Sequence, residues 1–184
     1  MSKRSLTKPR GLVQWLKLYH LYLASFPTEE RKPFSVIVNM YRKGKTDIWC
    51  LMDRGKLLGF ATTINGELIL LDYLAVDPSH RGKRIGSQIL LELKRIYDGK
   101  GLFGEIESTY EPVPDQEIRL RRKQFYLNCG MEPLNVMASV FGVKMELLGW
   151  DCSLDFDRYQ AFYREHYSPW AAQHIKKEFH PEAQ

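Results

Sequence analysis

One stretch decides the fold: Val76-Asp77-Pro78-Ser79-His80-Arg81-Gly82-Lys83-Arg84-Ile85-Gly86-Ser87. It follows an apolar run, residues 68–76, whose leucine and β-branched content predicts a buried strand. It leads into a segment whose apolar residues recur at helical spacing, namely Ile85, Ile89, Leu93 and Ile96. This spacing predicts a helix that begins near Arg84 or Ile85.

The loop between this strand and this helix predicts a phosphate-binding site. Gly82 and Gly86 let the backbone approach a ligand without a Cβ in the way. The first turn of a helix presents unpaired N–H groups and the positive end of the helix dipole. Residues 81–87, called the cradle loop below, are therefore expected to hold phosphate oxygens. The structural alternative is a strand, turn and helix capped by basic residues.

Two common phosphate-binding patterns do not fit the cradle loop. The P-loop needs a Gly-Lys-Ser/Thr ending, and the dinucleotide fingerprint needs three glycines where this loop has two. The stretch resembles instead the Arg/Gln-x-x-Gly-x-Gly/Ala signature of the Gcn5-related N-acetyltransferase (GNAT) family. Here that signature reads Arg81-Gly82-Lys83-Arg84-Ile85-Gly86 after Leu74-Ala75-Val76-Asp77-Pro78, with Arg84 in place of its first glycine.

A second stretch carries the same resemblance. Residues 125–131, Phe-Tyr-Leu-Asn-Cys-Gly-Met, are similar to the family's Phe/Leu-Tyr-x-x-x-Gly-Phe motif, with Met131 in place of phenylalanine. In that family the tyrosine often returns a proton to the departing thiolate, which makes Tyr126 the candidate general acid. The alternative is a core tyrosine that packs beside Phe125.

The resemblance implies an α/β fold, the GNAT acyl-CoA N-acyltransferase fold, with a mixed central sheet flanked by helices. It covers about residues 12–150 and leaves a helical extension over about 151–184, within a single N-acetyltransferase domain spanning 1–184. It implies acetyl-CoA as the cosubstrate. The residues expected to bind it are Leu74, Ala75, Val76, Arg81, Gly82, Lys83, Arg84, Ile85, Gly86 and Ser87.

Acetyl transfer from a thioester to an amine also needs a donor for the negative oxygen and a base for the amine. The resemblance implies a backbone amide near Ala75 or Val76 as the donor. Glu105 and Glu107 are the candidate bases, because side chains alternate along a strand and place both on one face. Glu107 is preferred, since in the register of the motif it lies closer to the point where the two parallel strands separate; Asp72 or Tyr73 could act instead through a water. The structural alternative pairs Glu107 with Arg121 or Arg122 of the following helix.

The acceptor pocket is the least certain part of the sequence prediction. Glu29, Glu30 and Arg31 lie where the family's first two helices line that pocket, so they are candidates for acceptor binding. The alternative is a charged turn in solvent.

Composition bounds the function. The 184 residues carry a net charge of +5, which suits a polyanion such as coenzyme A; nucleic acid is the rival, but the basic residues are spread along the chain. Three cysteines without a Cys-x-x-Cys pair and scattered histidines predict neither a disulfide framework nor a metal site. No apolar run approaches the ~20 residues that span a bilayer, and no signal-peptide core is present, so a cytoplasmic protein without membrane contact is expected.

Local patterns predict the remaining elements in order. The first helix, residues 12–26, is expected to bury Leu12, Val13, Leu16, Tyr19, Leu23 and Phe26. Residues 34–41 favour a helix, with a strand left open, and Ser5-Leu6-Thr7 is a candidate N-terminal strand. Strands are predicted over 47–53, 57–64, 68–76 and 102–109, a helix over 115–128, a hairpin over 133–150, and helix over 155–178 divided at Pro169.

The sequence thus predicts an N-acetyltransferase that passes the acetyl group of acetyl-CoA directly to a primary amine. One alternative is a non-catalytic acyl-CoA-binding module of the same fold, because Arg84 departs from the signature. The other is a basic nucleic-acid-binding protein. Sequence does not identify the acceptor, and it leaves a homodimer open.

Overall fold

The computed structural model describes residues 5–179, apart from the side chain of Glu29. The fold is mixed α/β, as predicted, and the chain forms two compact units. The first comprises residues 5–65 and 71–98, and the second comprises 66–70 and 99–179. None of the helices within 5–179 combines the length and the apolar character that a membrane span requires.

The first unit contains the strands and helices that surround the cradle loop. In chain order these are β1 (Leu6–Thr7), α1 (Gly11–Ser25), a 3₁₀ turn (Thr28–Glu30), α2 (Phe34–Arg42), β2 (Thr46–Asp53), β3 (Lys56–Asn65), the last six residues of β4 (Ile69–Val76), a 3₁₀ turn (Pro78–His80) and α3 (Ile85–Ile96). β1 pairs antiparallel with β2, and β2 with β3. The short N-terminal strand and the helix over residues 34–42 are thereby confirmed.

The two faces of this sheet are packed differently. Leu18, Tyr22 and Ile37 of α1 and α2 lie in one buried cluster with Phe60 and Tyr73. Next to Phe60 on β3, position 59 has room only for glycine. A Cβ there would lie 2.6 Å from the carbonyl oxygen of Ala75 and 2.9 Å from Cδ1 of Ile89. α3 therefore packs close to the backbone of β3 and β4, just beyond the cradle loop.

The prediction of which face of α1 is buried is wrong. Its members are exposed, from 74% for Leu12 through Val13 (64%) and Leu16 (48%) to 38% for Tyr19 and Leu23, whereas Leu18, Leu21 and Tyr22 are buried. The helix carries apolar residues almost all round, so periodicity alone cannot choose a face. Contacts of Tyr22 with Phe34 and Tyr73 select the side that packs. Phe26, just beyond the helix, does pack against the core as expected.

The second unit holds the C-terminal elements. They are β5 (Leu102–Glu107), α4 (Gln116–Asn128), β6 (Glu132–Val140), β7 (Val143–Trp150), α5 (Phe156–His166), α6 (Pro169–Gln173) and β8 (Ile175–Glu178). Their strands lie in the order β5-β7-β6-β8, and each neighbouring pair is antiparallel. The predicted hairpin turns at Phe141-Gly142, where both residues have positive φ.

The C-terminal extension differs from its prediction at the end. Pro169 does divide it, with the Ser168 hydroxyl accepting the amide of Ala171 at the start of α6. Residues 175–178, however, form a strand and not a helix, because they hydrogen-bond along β6 from Val140 to Met137. The preceding helix packs with the rings of Tyr159 and Phe162 against Phe103.

Candidate functional site

The cradle loop is preceded by a turn that its own residues stabilise. The Asp77 amide donates to the carbonyl of Leu58, which holds the end of β4 beside β3. The Asp77 side chain then accepts the amide of Ser79 at 2.9 Å and its hydroxyl at 2.5 Å. Chain direction therefore changes at Asp77-Pro78, and α3 begins at Ile85.

Six consecutive amides in the cradle loop have no acceptor at normal hydrogen-bond geometry in the described part of the chain. The first helical hydrogen bond of α3 runs from the Gln88 amide to the Arg84 carbonyl at 3.0 Å. Within residues 5–179 none of the amides from Gly82 to Ser87 donates to another backbone or side-chain group. Unpaired amides at the start of a helix are the donors that bind phosphate oxygens. This geometry fits a diphosphate, because the donors are free and a Cβ built on Gly82 would meet nothing within 4 Å.

The backbone conformation of Arg84 shows how the chain accommodates an arginine where the family signature has glycine. Its backbone is left-handed, with φ 58° and ψ 19°, a conformation that glycine adopts without strain. Arginine at such a position costs on the order of 1 kcal/mol. The signature glycine is thus replaced in chemistry but not in backbone geometry, and the exposed Arg84 side chain adds a cation to those of Arg81 and Lys83.

The strand before the cradle loop provides the other predicted coenzyme contacts. Ala75 is buried, whereas Leu74 and Val76 on either side of it are half-buried. Their role in binding the coenzyme stays a prediction.

Tyr126 lies near the end of α4 in the second unit. Its ring contacts that of Phe125 at 5.1 Å between centroids, as the packing alternative predicts. The side chain of Tyr126 is half-buried, and its partial removal from water raises the pKa of Tyr126 to about 12, although the charge of Arg122 opposes the shift. In the part of the chain that the structure describes, no residue hydrogen-bonds its hydroxyl. Tyr126 is therefore protonated at neutral pH and has a hydroxyl hydrogen to donate.

Glu107, at the end of β5, has both carboxylate oxygens in ion pairs. Arg119 lies 2.9 Å from one oxygen and Arg122 lies 2.9 Å from the other. The predicted partner Arg122 is found, and Arg121 is exposed. Arg119 was missed, although its spacing of three residues from Arg122 puts both on one helix face. Glu107 as the base stays a prediction, and its contacts favour the alternative.

The other carboxylate candidates have partners of their own. Glu105 accepts the hydroxyls of Tyr159 at 2.6 Å and Tyr163 at 2.8 Å, both on α5. Asp72 pairs with the ammonium of Lys32 at 2.5 Å. Each carboxylate therefore anchors a neighbouring segment.

Tyr73 fixes the turn that was predicted to bind the acceptor. Its hydroxyl donates to the Glu30 carbonyl at 3.0 Å and accepts the Lys32 amide at 3.1 Å. Burial raises the pKa of Tyr73 far above its usual range, which removes it as a base near neutral pH. Arg31 donates to the hydroxyl of Thr28 at 2.7 Å. The side chain of Glu29 lies outside the described part, and acceptor binding by Glu29, Glu30 and Arg31 stays a prediction.

Sequence reasoning missed a buried carboxylate on β7. Glu146 accepts the amide and hydroxyl of Thr109 at 2.5 and 2.7 Å and pairs with Lys123 at 2.5 Å. Burial alone would lower the pKa of Lys123, but the hydrogen bond and charge of Glu146 raise it. The available signal in the sequence for a buried carboxylate was that Glu146 precedes the apolar end of strand 143–150. The cluster closes the loop that follows β5.

The comparisons with known proteins agree with the fold. Residues 44–133 match the model of the acetyltransferase (GNAT) domain. A search of curated proteins finds no relative with significant similarity.

Solved structures share the fold over 80 to 92% of this chain at low sequence identity. A GNAT-family protein from Bacteroides thetaiotaomicron is 18% identical, covers 92% of this chain and 98% of its own, and has a TM-score of 0.73. An aminoglycoside 6'-N-acetyltransferase complexed with coenzyme A is 17% identical over 80% of this chain and 96% of its own, with a TM-score of 0.66. A Bacillus subtilis acetyltransferase in complex with CoA is 15% identical over 82% and 99%, with a TM-score of 0.58. At these identities the likeness establishes the fold.

Proposed function

Since the chain belongs to the GNAT acetyltransferase family, we propose that it transfers the acetyl group of acetyl-CoA directly to a primary amine. The observation that carries this proposal is the run of six unpaired amides from Gly82 to Ser87. Two neighbours of the same fold are described as complexes with coenzyme A, which supports an acyl-CoA as the bound ligand.

The cradle loop supplies binding and orientation. Its amides hold the diphosphate through hydrogen bonds to charged oxygens, which are stronger than bonds between neutral groups. Arg81, Lys83 and Arg84 add positive charge around them. A diphosphate fixed there aims the thioester along β4 toward Ala75 and Val76. Positioning of this kind lowers the barrier because the reacting atoms are held within reach.

Three groups complete the chemistry in our proposal. A backbone amide near Ala75 or Val76 stabilises the negative oxygen that forms as the amine attacks the carbonyl. Tyr126 donates its hydroxyl proton to the sulfur as the carbon–sulfur bond breaks. The amine must arrive without its extra proton, since an ammonium has no free electron pair. Glu107 is the base that the sequence predicts, but one of its ion pairs would have to open for that role, so the proposed transfer does not depend on it.

A second candidate function has a specific observation in its favour. Both oxygens of Glu107 are occupied, and Asp72 and Glu105 are paired as well. A fold that binds acyl-CoA without turnover would need no base.

Two measurements in sequence test the proposal. Acetyl-CoA should raise the melting temperature, and a panel of primary amines should then release free thiol from acetyl-CoA in a protein-dependent manner. Stabilisation without thiol release from any amine would favour the binding module. Absence of stabilisation by acetyl-CoA would reject both. Steeply salt-dependent binding of RNA or DNA in its place would revive the nucleic-acid alternative.

A further inference from the structure

A cavity of about 500 Å³ lies in the first unit, next to the turn that leads into the cradle loop. α1, the start of β3 and residues 77–80 line it. Its volume falls in the range of ~300–1,000 Å³ that small-molecule sites occupy. The described residues that line this cavity include none of the predicted coenzyme-binding or acceptor-binding residues, so the proposed function has not yet used it.

The cavity wall carries an excess of positive charge. Lys17 and Lys56 line it together with His20 and His80. The ammonium of Lys17 donates to the Gly55 carbonyl at 2.6 Å, which fixes its position and leaves two further N–H donors. Within residues 5–179 no carboxylate forms an ion pair with Lys17 or Lys56.

Asp77 is the acid in the described lining, and its carboxylate already contacts residues of the turn that it begins. It accepts the amide and hydroxyl of Ser79 and lies 3.2 Å from Nδ1 of His80. These contacts use the carboxylate within the turn that opens the cradle loop. Lys17 and Lys56 therefore keep charge that a ligand can neutralise.

The floor of the cavity is apolar. Leu21 and Leu57 line it and are both buried, and Ala24 lies beside them on α1. A bare inorganic ion would leave this surface unused. Cations on the wall and leucines below suit an organic molecule with an anionic group.

We propose that this cavity binds the anionic part of the acceptor, so that the acceptor is an amine that also carries a phosphate or a carboxylate. That the bound anion is the acceptor rests on the proposed function, whereas binding of an organic anion in this cavity does not. Residues 77–80 connect the cavity directly to the cradle loop, so both ligands would bind to adjacent parts of one segment. Polycationic amines such as aminoglycosides would be repelled by the same charges.

Matched amine pairs test this proposal. O-phosphoethanolamine is compared with ethanolamine, and 4-aminobutyrate with butylamine, by isothermal titration of the protein saturated with CoA. We expect at least one anionic member to bind about tenfold or more tightly than its neutral partner, as charged hydrogen bonds allow. Lys17→Gln/Lys56→Gln should remove most of that difference. The control Lys45→Gln/Lys100→Gln makes the same change of charge at exposed positions outside the cavity and should retain it.

Three results would overturn the proposal. Equal binding of both members of each pair is the first, and an equal loss in the control variant is the second. The third is a variant with lysines 17 and 56 replaced that binds CoA less tightly but dephospho-CoA normally, which would assign the cavity to the coenzyme. Selective binding without thiol release would reject the proposed transfer and support the anionic site, so the two failures are distinguishable.

Discussion

The guanidinium group of Arg122 lies 2.9 Å from the carboxylate of Glu107, joining α4 to the end of β5. Arg119, one turn earlier, takes the other oxygen. Such a pair of contacts orients the carboxylate toward the helix. The geometry is that of an anchor between two elements, and it conflicts with the predicted base role.

Replacing Glu107 by Gln separates these two roles. If Glu107 is an anchor, the Gln variant should melt at a lower temperature, keep kcat within about threefold of wild type and retain the shape of the pH–rate profile. If Glu107 is the base, the Gln variant should lose about 100-fold or more in kcat and should also lose the acidic limb of that profile. We expect the anchor result. Arg121→Gln, which removes an exposed charge from the same helix, is the control.

Closing the cradle loop should remove coenzyme binding. Gly86→Glu places a negative side chain among the amides, and we expect stabilisation by acetyl-CoA to vanish. Because Gly86 is buried, Ser87→Glu is the second variant: an acid in the first helical turn favours folding but repels phosphate. Ser87→Glu that folds normally and still binds acetyl-CoA at wild-type affinity would contradict the site.

Arg84 should tolerate glycine better than a branched residue. Because its φ is 58°, Arg84→Gly relieves strain, and we expect unchanged stability or a gain of up to about 1 kcal/mol in urea denaturation. Arg84→Val should lose about 1 kcal/mol or more, since β-branched residues disfavour this conformation. Coenzyme affinity should fall modestly in both, through the lost charge. Greater stability of the valine variant would refute the strain argument.

Tyr126→Phe should slow turnover and leave coenzyme binding intact. Loss of a general acid costs about 100-fold in kcat, whereas stabilisation by acetyl-CoA should not change. Tyr110→Phe, on the loop after β5, is the matched control. An unchanged kcat in Tyr126→Phe would remove this residue from the mechanism.

The raised pKa of Tyr126 also sets the direction of a pH effect. The native hydroxyl keeps its proton up to a pKa of about 12, whereas in the unfolded chain it titrates near 10. Its contribution to stability is therefore complete below pH 10 and is lost as pH rises toward 12. Urea titrations across this range should show wild type losing more stability than Tyr126→Phe. Parallel losses would show that the hydroxyl is not buried.

Sequence alone located most elements and the cradle loop because their signals are local. Asp77-Pro78, for example, ends a strand whatever surrounds it. The face of α1 was not predictable, because Leu16 and Leu18 are equally apolar and only the partner surface distinguishes them. Strand β8 was missed because its pairing with β6 is a tertiary contact.

The site divides in the same way. Backbone donors at Gly82 and Gly86 follow from local chain geometry, so the sequence could indicate them. The pairing of Glu107 with Arg122 could be predicted because it joins the consecutive elements β5 and α4. The partners of Asp72 and Glu146, namely Lys32 and Lys123, lie 40 and 23 residues away in the chain. Pairing at that separation has no signature in a single sequence.

The pairing of β8 with β6 has a consequence for handling the protein. Without residues 175–178, the backbone groups of Ser139 and Val140 would face solvent along an open strand. An open strand edge is a template for intermolecular β-pairing. Shortening the chain by those few residues would accordingly promote aggregation.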